Sequence, residues 1–265
     1  MPAPLNKFKA AIANGDRQIG LWLGMANAYA AELCAGAGFD WVVVDGEHAP
    51  NTLPVMAAQL QAIGDKTHPV VRAPTGETWI IKQLLDIGAQ TVLVPMVETA
   101  EQAQQLVRAM NYPPKGVRGV GAAMARASAF NRIPDYLTTA NEQVCLLVQL
   151  ESRAAMADLE AIAAVEGVDG VFIGPSDLAA DMGFLGKPGA PEVQAVVEDG
   201  LARIIKAGKP AGILTADNAL AQRYLDLGAS FVAVGTDVTL FSQATSALAA
   251  KFKSVPAPAK GASGY

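Results

Sequence analysis

Phe39-Asp40-Trp41-Val42-Val43-Val44-Asp45-Gly46-Glu47-His48 sets four apolar residues in a row against an abrupt run of polar and charged ones. A strand with one face in water alternates apolar and polar side chains. A strand apolar on consecutive residues is covered on both faces, as in a parallel sheet flanked by helices. The charged residues then gather where the strand stops, the place at which such folds carry their chemistry.

Similar runs recur along the chain. Strands are predicted at 19–24, 41–45, 69–72, 91–97, 144–151, 170–174, 211–215 and 231–235. Helical stripes lie between them: Ile80, Ile81, Leu84 and Leu85 form one, and Leu220, Tyr224 and Leu227 another, at the spacing of a helix packed on a sheet. Gly38, Gly88 and Gly228 each stand just before a strand, where a left-handed residue ends a helix. Eight strands alternating with helices predict an α/β fold, a closed (β/α)8 TIM barrel. An open doubly wound sheet is the rival, but Gly24-Met25-Ala26-Asn27 after the first strand is no nucleotide-binding turn. Gly116-Val117-Arg118-Gly119-Val120-Gly121 follows Pro113-Pro114 and no strand, and reads as a loop whose backbone passes close to a ligand. Residues 111–141 and 178–191 break the regular spacing as long loops. Residues 1–253 are expected to form one domain. A Pro/Ala/Gly/Ser tail, 254–265, is expected to be disordered unless a neighbouring subunit holds it.

Bulk composition bounds the function. The 265 residues carry a net charge of −5 with no basic block, so neither nucleic acid nor an anionic membrane is an expected partner. Cys34 and Cys145 sit in apolar stretches and read as reduced core thiols. Residues 1–20 lack an apolar leader core, and a cytoplasmic protein is expected.

The strand ends supply the candidate site. Glu151 and Asp177 follow the fifth and sixth strands, which lie side by side in a barrel, so the two carboxylates can reach one cation. Two carboxylates without a nearby His or Cys describe a hard-metal site, Mg2+ or Mn2+, with positions left open for substrate oxygens. Co2+ and Zn2+ stay open. Gln149, two residues before Glu151 on the same strand face, fits a supporting role. Arg72 ends an apolar strand and calls for an anion, either a substrate enolate or carboxylate, or a salt bridge to Glu151 or Asp45. His48 is a candidate general base. His68 stands at the wrong end of its strand and reads as structural. Asp86 closes a helix, where the macrodipole disfavours a carboxylate. None of the predicted strands carries a lysine, which disfavours a Schiff-base aldolase.

Five segments, Gly20-Leu21-Trp22-Leu23-Gly24, Phe39 to Pro50, Leu93-Val94-Pro95-Met96-Val97, Gln149-Leu150-Glu151 and Gly170 to Leu178 with its Gly-Pro-Ser-Asp-Leu, together resemble the HpcH/HpaI aldolase family. Arg118-Gly119-Val120-Gly121 and Asn131 to Tyr136 resemble its 4-hydroxy-2-oxoheptanedioate aldolase branch. The resemblance implies a class II pyruvate aldolase, cleaving 4-hydroxy-2-oxo acids such as 4-hydroxy-2-oxoheptanedioate to pyruvate and succinic semialdehyde through a metal-bound enolate. It implies that Glu151 and Asp177 hold the divalent metal, Arg72 steadies the enolate and His48 moves the proton. Asp86 would pair with His48 of an adjacent subunit, and Asp45 would support from behind. Trp22, Gln149 and Leu214 would face the substrate, amides around Gly174, Pro175 and Ser176 would take the pyruvate carboxylate, and the 120–124 loop would line the aldehyde side. Arg126 would meet a distal carboxylate or remain a surface residue. A homohexamer, a trimer of dimers exchanging the last helix (about 238–251), is implied. The alternatives are a 2-keto-3-deoxy sugar-acid aldolase of the dehydro-deoxyglucarate type, an acyl-CoA lyase, and a non-catalytic metabolite-binding barrel.

Overall fold

The computed structural model describes residues 1–253; the predicted tail lies outside the described residues. Eight parallel strands close into one barrel in chain order: β1 Gln18–Leu23, β2 Trp41–Asp45, β3 His68–Arg72, β4 Thr91–Val94, β5 Cys145–Leu150, β6 Gly170–Ile173, β7 Ala211–Leu214 and β8 Phe231–Thr236. The predicted (β/α)8 barrel is the fold. Twelve helices accompany the strands among the described residues: α1 Lys7–Ala13, α2 Ala28–Ala35, α3 Leu53–Ile63, α4 Thr78–Asp86, α5 Ala100–Met110, α6 Tyr136–Gln143, α7 Arg153–Ala157, α8 Leu159–Ala164, α9 Pro175–Asp181, α10 Pro191–Lys206, α11 Asn218–Asp226 and α12 Asp237–Lys253.

Two apolar layers result. Val42, Val44, Val71, Val92, Val94, Leu146, Val148, Val171 and Ile213 face outward under the helices, where Ile81, Leu84, Leu106, Val197 and Leu201 meet them. Their neighbours along the strands, Trp41, Val43, Val70, Leu93, Leu147, Phe172 and Phe231, point inward and fill the barrel. Each strand therefore buries both faces, which is why its sequence does not alternate. The inward aromatics need room, and glycine supplies it: a Cβ on Gly20 would strike the Trp41 ring, and one on Gly212 the Phe231 ring. Helix α1 closes the end where the strands begin. Its Phe8 lies 5.5 Å from Trp41, 5.9 Å from Phe231 and stacks at 5.3 Å on His68, so His68 is part of that plug, as its position suggested.

Three sequence expectations are corrected. β4 stops at Val94 and not at Val97, because Pro95 has no N–H to give the ladder and Met96 turns to φ 55°. Residues 178–191 are not one loop, since α9 carries the chain to Asp181. Residues 111–141 are not one loop either, since α6 begins at Tyr136; before it, a Cβ on Gly116 would strike the carbonyl oxygens of Arg108 and Asn111, so that backbone docks on the end of α5.

Helix α12 leaves the barrel surface. Of its residues only Asp237 is buried, while Leu240, Phe241, Leu248 and Phe252 are exposed. Asp237 anchors its start, accepting from the amides of Gly24 (2.7 Å) and Met25 (3.2 Å) beyond β1. Among the described residues no helix is long and apolar enough to cross a membrane.

Candidate active site

The strands deliver their polar ends to one rim. Asp45 and Arg72 are register partners at the ends of β2 and β3. Arg72 donates from Nε to Asp45 Oδ1 at 2.8 Å and from Nη2 to Oδ2 at 2.6 Å, and its Nη1 lies 2.8 Å from Glu47 Oε2. Its guanidinium also covers the Trp22 ring at 4.8 Å, and the Trp22 indole donates to Asp45 Oδ2 at 3.2 Å. Of the two sequence options for Arg72, the Asp45 salt bridge is therefore present in the chain alone. Asp45 in turn accepts from the amides of Glu47 (3.0 Å) and His48 (3.3 Å), which fixes the turn that carries the histidine. Burial works to raise the Asp45 carboxyl, but the hydrogen bonds and charge of Arg72 outweigh it and hold it below its ordinary value. The Glu47 carboxyl stands above its ordinary value, because burial outweighs the attraction of Arg72.

Glu151 lies just past β5, with one oxygen on the Met96 amide (2.8 Å) and the other on the Gln149 side-chain amide. Burial pushes its carboxyl up to about 7, with the negative charges of Asp177 and Glu47 adding to the shift. Asp177 stands in the first turn of α9, after Gly174 and Pro175 have turned the chain out of β6. A Cβ on Gly174 would strike the Glu151 carboxylate, so glycine lets that side chain lie flat across the turn. The Gln149 side-chain oxygen is buried and has no partner among the described residues.

These groups surround a cavity of about 30 Å3, room for one or two water-sized groups. Arg72, Gln149, Glu151 and Asp177 line its polar side, and Trp22, Phe172 and Leu214 its apolar side. His48 and the Gly174-Pro175-Ser176 turn complete it. Asp45 stands behind Arg72. Four carboxylates, Asp45, Glu47, Glu151 and Asp177, thus face one arginine. That imbalance and the cost of ionising buried Glu151 suit a hard cation. Among the described residues no three His, Cys, Asp or Glu side chains form a closed metal cage, so Glu151 and Asp177 would leave an ion most of its positions free.

Asp86 is elsewhere. It ends α4 at the barrel end where the strands begin, with Oδ1 2.8 Å from Arg118 Nη2. Arg126 is on that side too, donating to the Ile87 carbonyl at 3.1 Å, and the 120–124 stretch lies next to Asp86. Within one chain none of them reaches the cavity. A larger cavity of about 910 Å3 opens at this end, where Asp40 accepts from the Ile19 amide and Lys66 bonds the Ala62 carbonyl. Sequence reasoning gave no role to Glu47, Phe172 or Arg118. The alternation that points Gly170 inward also points Phe172 inward, and Glu47 lies two residues from Asp45; Arg118 stands in the glycine-rich stretch, whose sequence does not show which carboxylate it meets.

Residues 18–244 match the family described as HpcH/HpaI aldolase/citrate lyase. The chain is 61% identical over 266 residues to a hydroxypyruvate/pyruvate aldolase of Agrobacterium fabrum, covering 100% of both chains. It is 59% identical over 248 residues to a 4-hydroxy-2-oxo-heptane-1,7-dioate aldolase of Escherichia coli, covering 93% of this chain and 95% of that one. Among solved structures it is similar to a HpcH/Hpal aldolase/citrate lyase family protein from Burkholderia cenocepacia, with TM-score 0.89, 40% identity and coverage of 93% and 98%.

Proposed function

Since the chain belongs to the HpcH/HpaI aldolase/citrate lyase family and is a carbon–carbon lyase of the aldolase type, we propose that it cleaves and forms the bond to the carbon next to the keto group of pyruvate with the help of a divalent metal. The observation that carries this is the meeting of Glu151 and Asp177 beside Arg72 in one cavity. Mg2+ or Mn2+ held by the two carboxylates would supply Lewis acidity toward the donor's keto group.

The chain's own residues do the rest. Arg72, pinned in plane by Asp45, offers its remaining N–H groups to the charge that grows on the C2 oxygen as the C3–C4 bond breaks. His48 takes the proton of the C4 hydroxyl, and the electron pair of the broken bond stays with C2–C3 as the enolate. Protonation at C3 then gives pyruvate. The Ser176 amide receives the donor's carboxylate, since Pro175 has no N–H and the Gly174 amide is taken by the Leu150 carbonyl, and Trp22, Phe172 and Leu214 keep water from the reacting carbon. Asp86 of a second copy pairs with His48, which explains a carboxylate placed far from its own cavity. The exposed apolar side chains of α12 support an assembly in which copies exchange that helix, a homohexamer built as a trimer of dimers.

The relative at 61% identity is named for two donors, hydroxypyruvate and pyruvate, and the one at 59% for 4-hydroxy-2-oxo-heptane-1,7-dioate. We take pyruvate as the donor product and succinic semialdehyde as the aldehyde. Exchange of pyruvate methyl protons with D2O, followed by NMR in metal-stripped protein and after adding Mg2+ or Mn2+, tests the enolate half-reaction without the aldehyde. Metal-dependent exchange is expected. Folded protein that exchanges with neither metal sinks the reading.

A further inference from the structure

We propose that Arg118 is a positioning residue for the site of a second copy of this chain, holding Asp86 by one oxygen and turning the other outward to that copy's His48. The inference rests on the reading that Asp86 serves His48 across subunits.

Arg118 is placed with more care than a surface loop requires. Its side chain is fully enclosed, with Nη2 2.8 Å from Asp86 Oδ1 and 3.4 Å from the Tyr136 hydroxyl. The guanidinium lies 4.3 Å over the Tyr112 ring and 6.0 Å from that of Tyr136. The backbone beneath it is fixed as well: the Arg118 amide bonds the Asn111 carbonyl at 2.9 Å, and Gly116 is pressed on the end of α5. Tyr112 is held from both sides by Asn141, at 2.8 and 3.3 Å. A rigid cradle therefore carries the cation to the last residue of α4.

That cradle is a poor device for stability alone. Arg118 Nε and Nη1 and the Tyr112 hydroxyl are buried without partners among the described residues. A buried cation with one carboxylate and unmet donors is commonly no better than an apolar residue of the same size. What the arginine does achieve is orientation. Asp86 ends a helix whose dipole opposes its charge, and the Arg118 contact settles Oδ1. The side chain keeps a quarter of its surface exposed. Gly121 is the residue opposite Oδ2, and even a Cβ there would stand 3.9 Å away. Lys82, one turn earlier on α4, lies along Gly119. Around this carboxylate Val117, Val120 and Met124 are exposed, an apolar surface suited to a second copy and not to water.

Co-expressed pairs of differently tagged chains, purified as hybrids and assayed for retro-aldol cleavage, test the proposal. Arg118→Met and Asp86→Asn, each alone, are expected to lower kcat by about 10²-fold, the effect of a catalytic group displaced by about an ångström, with KM for the 2-oxo acid little changed. Hybrids of Arg118→Met with His48→Ala should regain activity well above either parent, because an intact His48 on one chain meets an intact Asp86 and Arg118 on the other. Hybrids of Arg118→Met with Asp86→Asn should regain none. If Asp86→Asn is not rescued by His48→Ala, the cross-subunit reading fails, and this inference with it. If Asp86→Asn is rescued but Arg118→Met is fully active, or inactive and not rescued, the inference alone is overturned. Should Arg118→Met not assemble, Arg118→Lys, which keeps the charge without the fork, is judged by the same outcomes.

Discussion

Asp45 and Arg72 stand directly opposite each other in register at the ends of β2 and β3 and close a two-point salt bridge, 2.8 Å and 2.6 Å long, under the Trp22 ring. A lysine could match the charge but not the two parallel bonds or the stacking. Arg72→Lys is therefore expected to fold and to lose about 10²-fold or more in kcat, the scale for removing a charge stabiliser. Asp45→Asn weakens the two-point contact while Glu47 still holds the guanidinium at 2.8 Å, and should cost about 1.5–3 kcal/mol of stability, the scale of a charge-assisted hydrogen bond. Urea unfolding beside steady-state kinetics separates the two effects. A lysine variant with unchanged kcat would remove Arg72 from the chemistry.

Gly174 makes the opposite kind of demand, for empty space. A methyl group there meets the Glu151 carboxylate, and stands 2.9 Å from Glu151 Cβ and 3.0 Å from Gln149 Nε2. Gly174→Ala should push Glu151 out of line with Asp177, weakening Mn2+ binding about 10–100-fold with little change in thermal unfolding. Titration of Mn2+ followed by electron paramagnetic resonance reads this directly. Unaltered affinity would mean that Glu151 does not hold the ion.

Met96 holds the other oxygen of Glu151 through its amide while sitting at φ 55°, a backbone region that non-glycine residues rarely occupy. Met96→Gly keeps the amide and accepts the conformation. Met96→Pro has neither the N–H nor the φ. Glycine is expected to retain Mn2+ affinity and proline to lose it. Equal behaviour of the two would show that the amide does not position the carboxylate.

Much of this was legible before the fold was. Val42-Val43-Val44 could only be a strand covered on both sides, and once eight such runs are arranged in a ring their ends must converge. That alone brings Asp45, Arg72, Glu151 and Asp177 to one rim. What the residues hide is the path of the chain where no periodicity governs it. The 111–135 excursion has little apolar pattern of its own. It takes its course from docking on α5 and α4, with Gly116 against carbonyl oxygens. No local rule announces such contacts, so the glycine-rich stretch could be seen in the sequence but not the pairing of its Arg118 with Asp86. Glu47 stood among the polar residues at the end of the second strand, but its partner Arg72 is distant in sequence and adjacent only across the sheet.

Helix α12 bears on assembly. With Leu240, Phe241, Leu248 and Phe252 in the open, a helix anchored at one end by Asp237 leaves these side chains uncovered among the described residues. Phe241→Asp combined with Leu248→Asp should leave the barrel folded and shift the sedimentation coefficient toward that of a monomer. An oligomer that survives both charges would place the interface elsewhere.

His68 supplies a pH dependence at the far end of the barrel. Burial lowers its pKa from 6.5 to about 4. Its ring stacks on Phe8 and its Nε2 lies 2.9 Å from the Thr91 hydroxyl, so the plug is built around a neutral imidazole. The folded state therefore binds a proton less readily than the unfolded chain does. The stability this gives is complete above about 6.5, the unfolded value, and drains away as pH falls toward 4. His68→Asn cannot take up that proton. Its packing loss should lower the unfolding temperature at pH 7.5, but the gap to the unsubstituted protein should narrow steadily between pH 6.5 and 4. Thermal unfolding by circular dichroism across that range measures the gap, and one that stays constant with pH would mean that His68 does not carry the acid sensitivity of the plug.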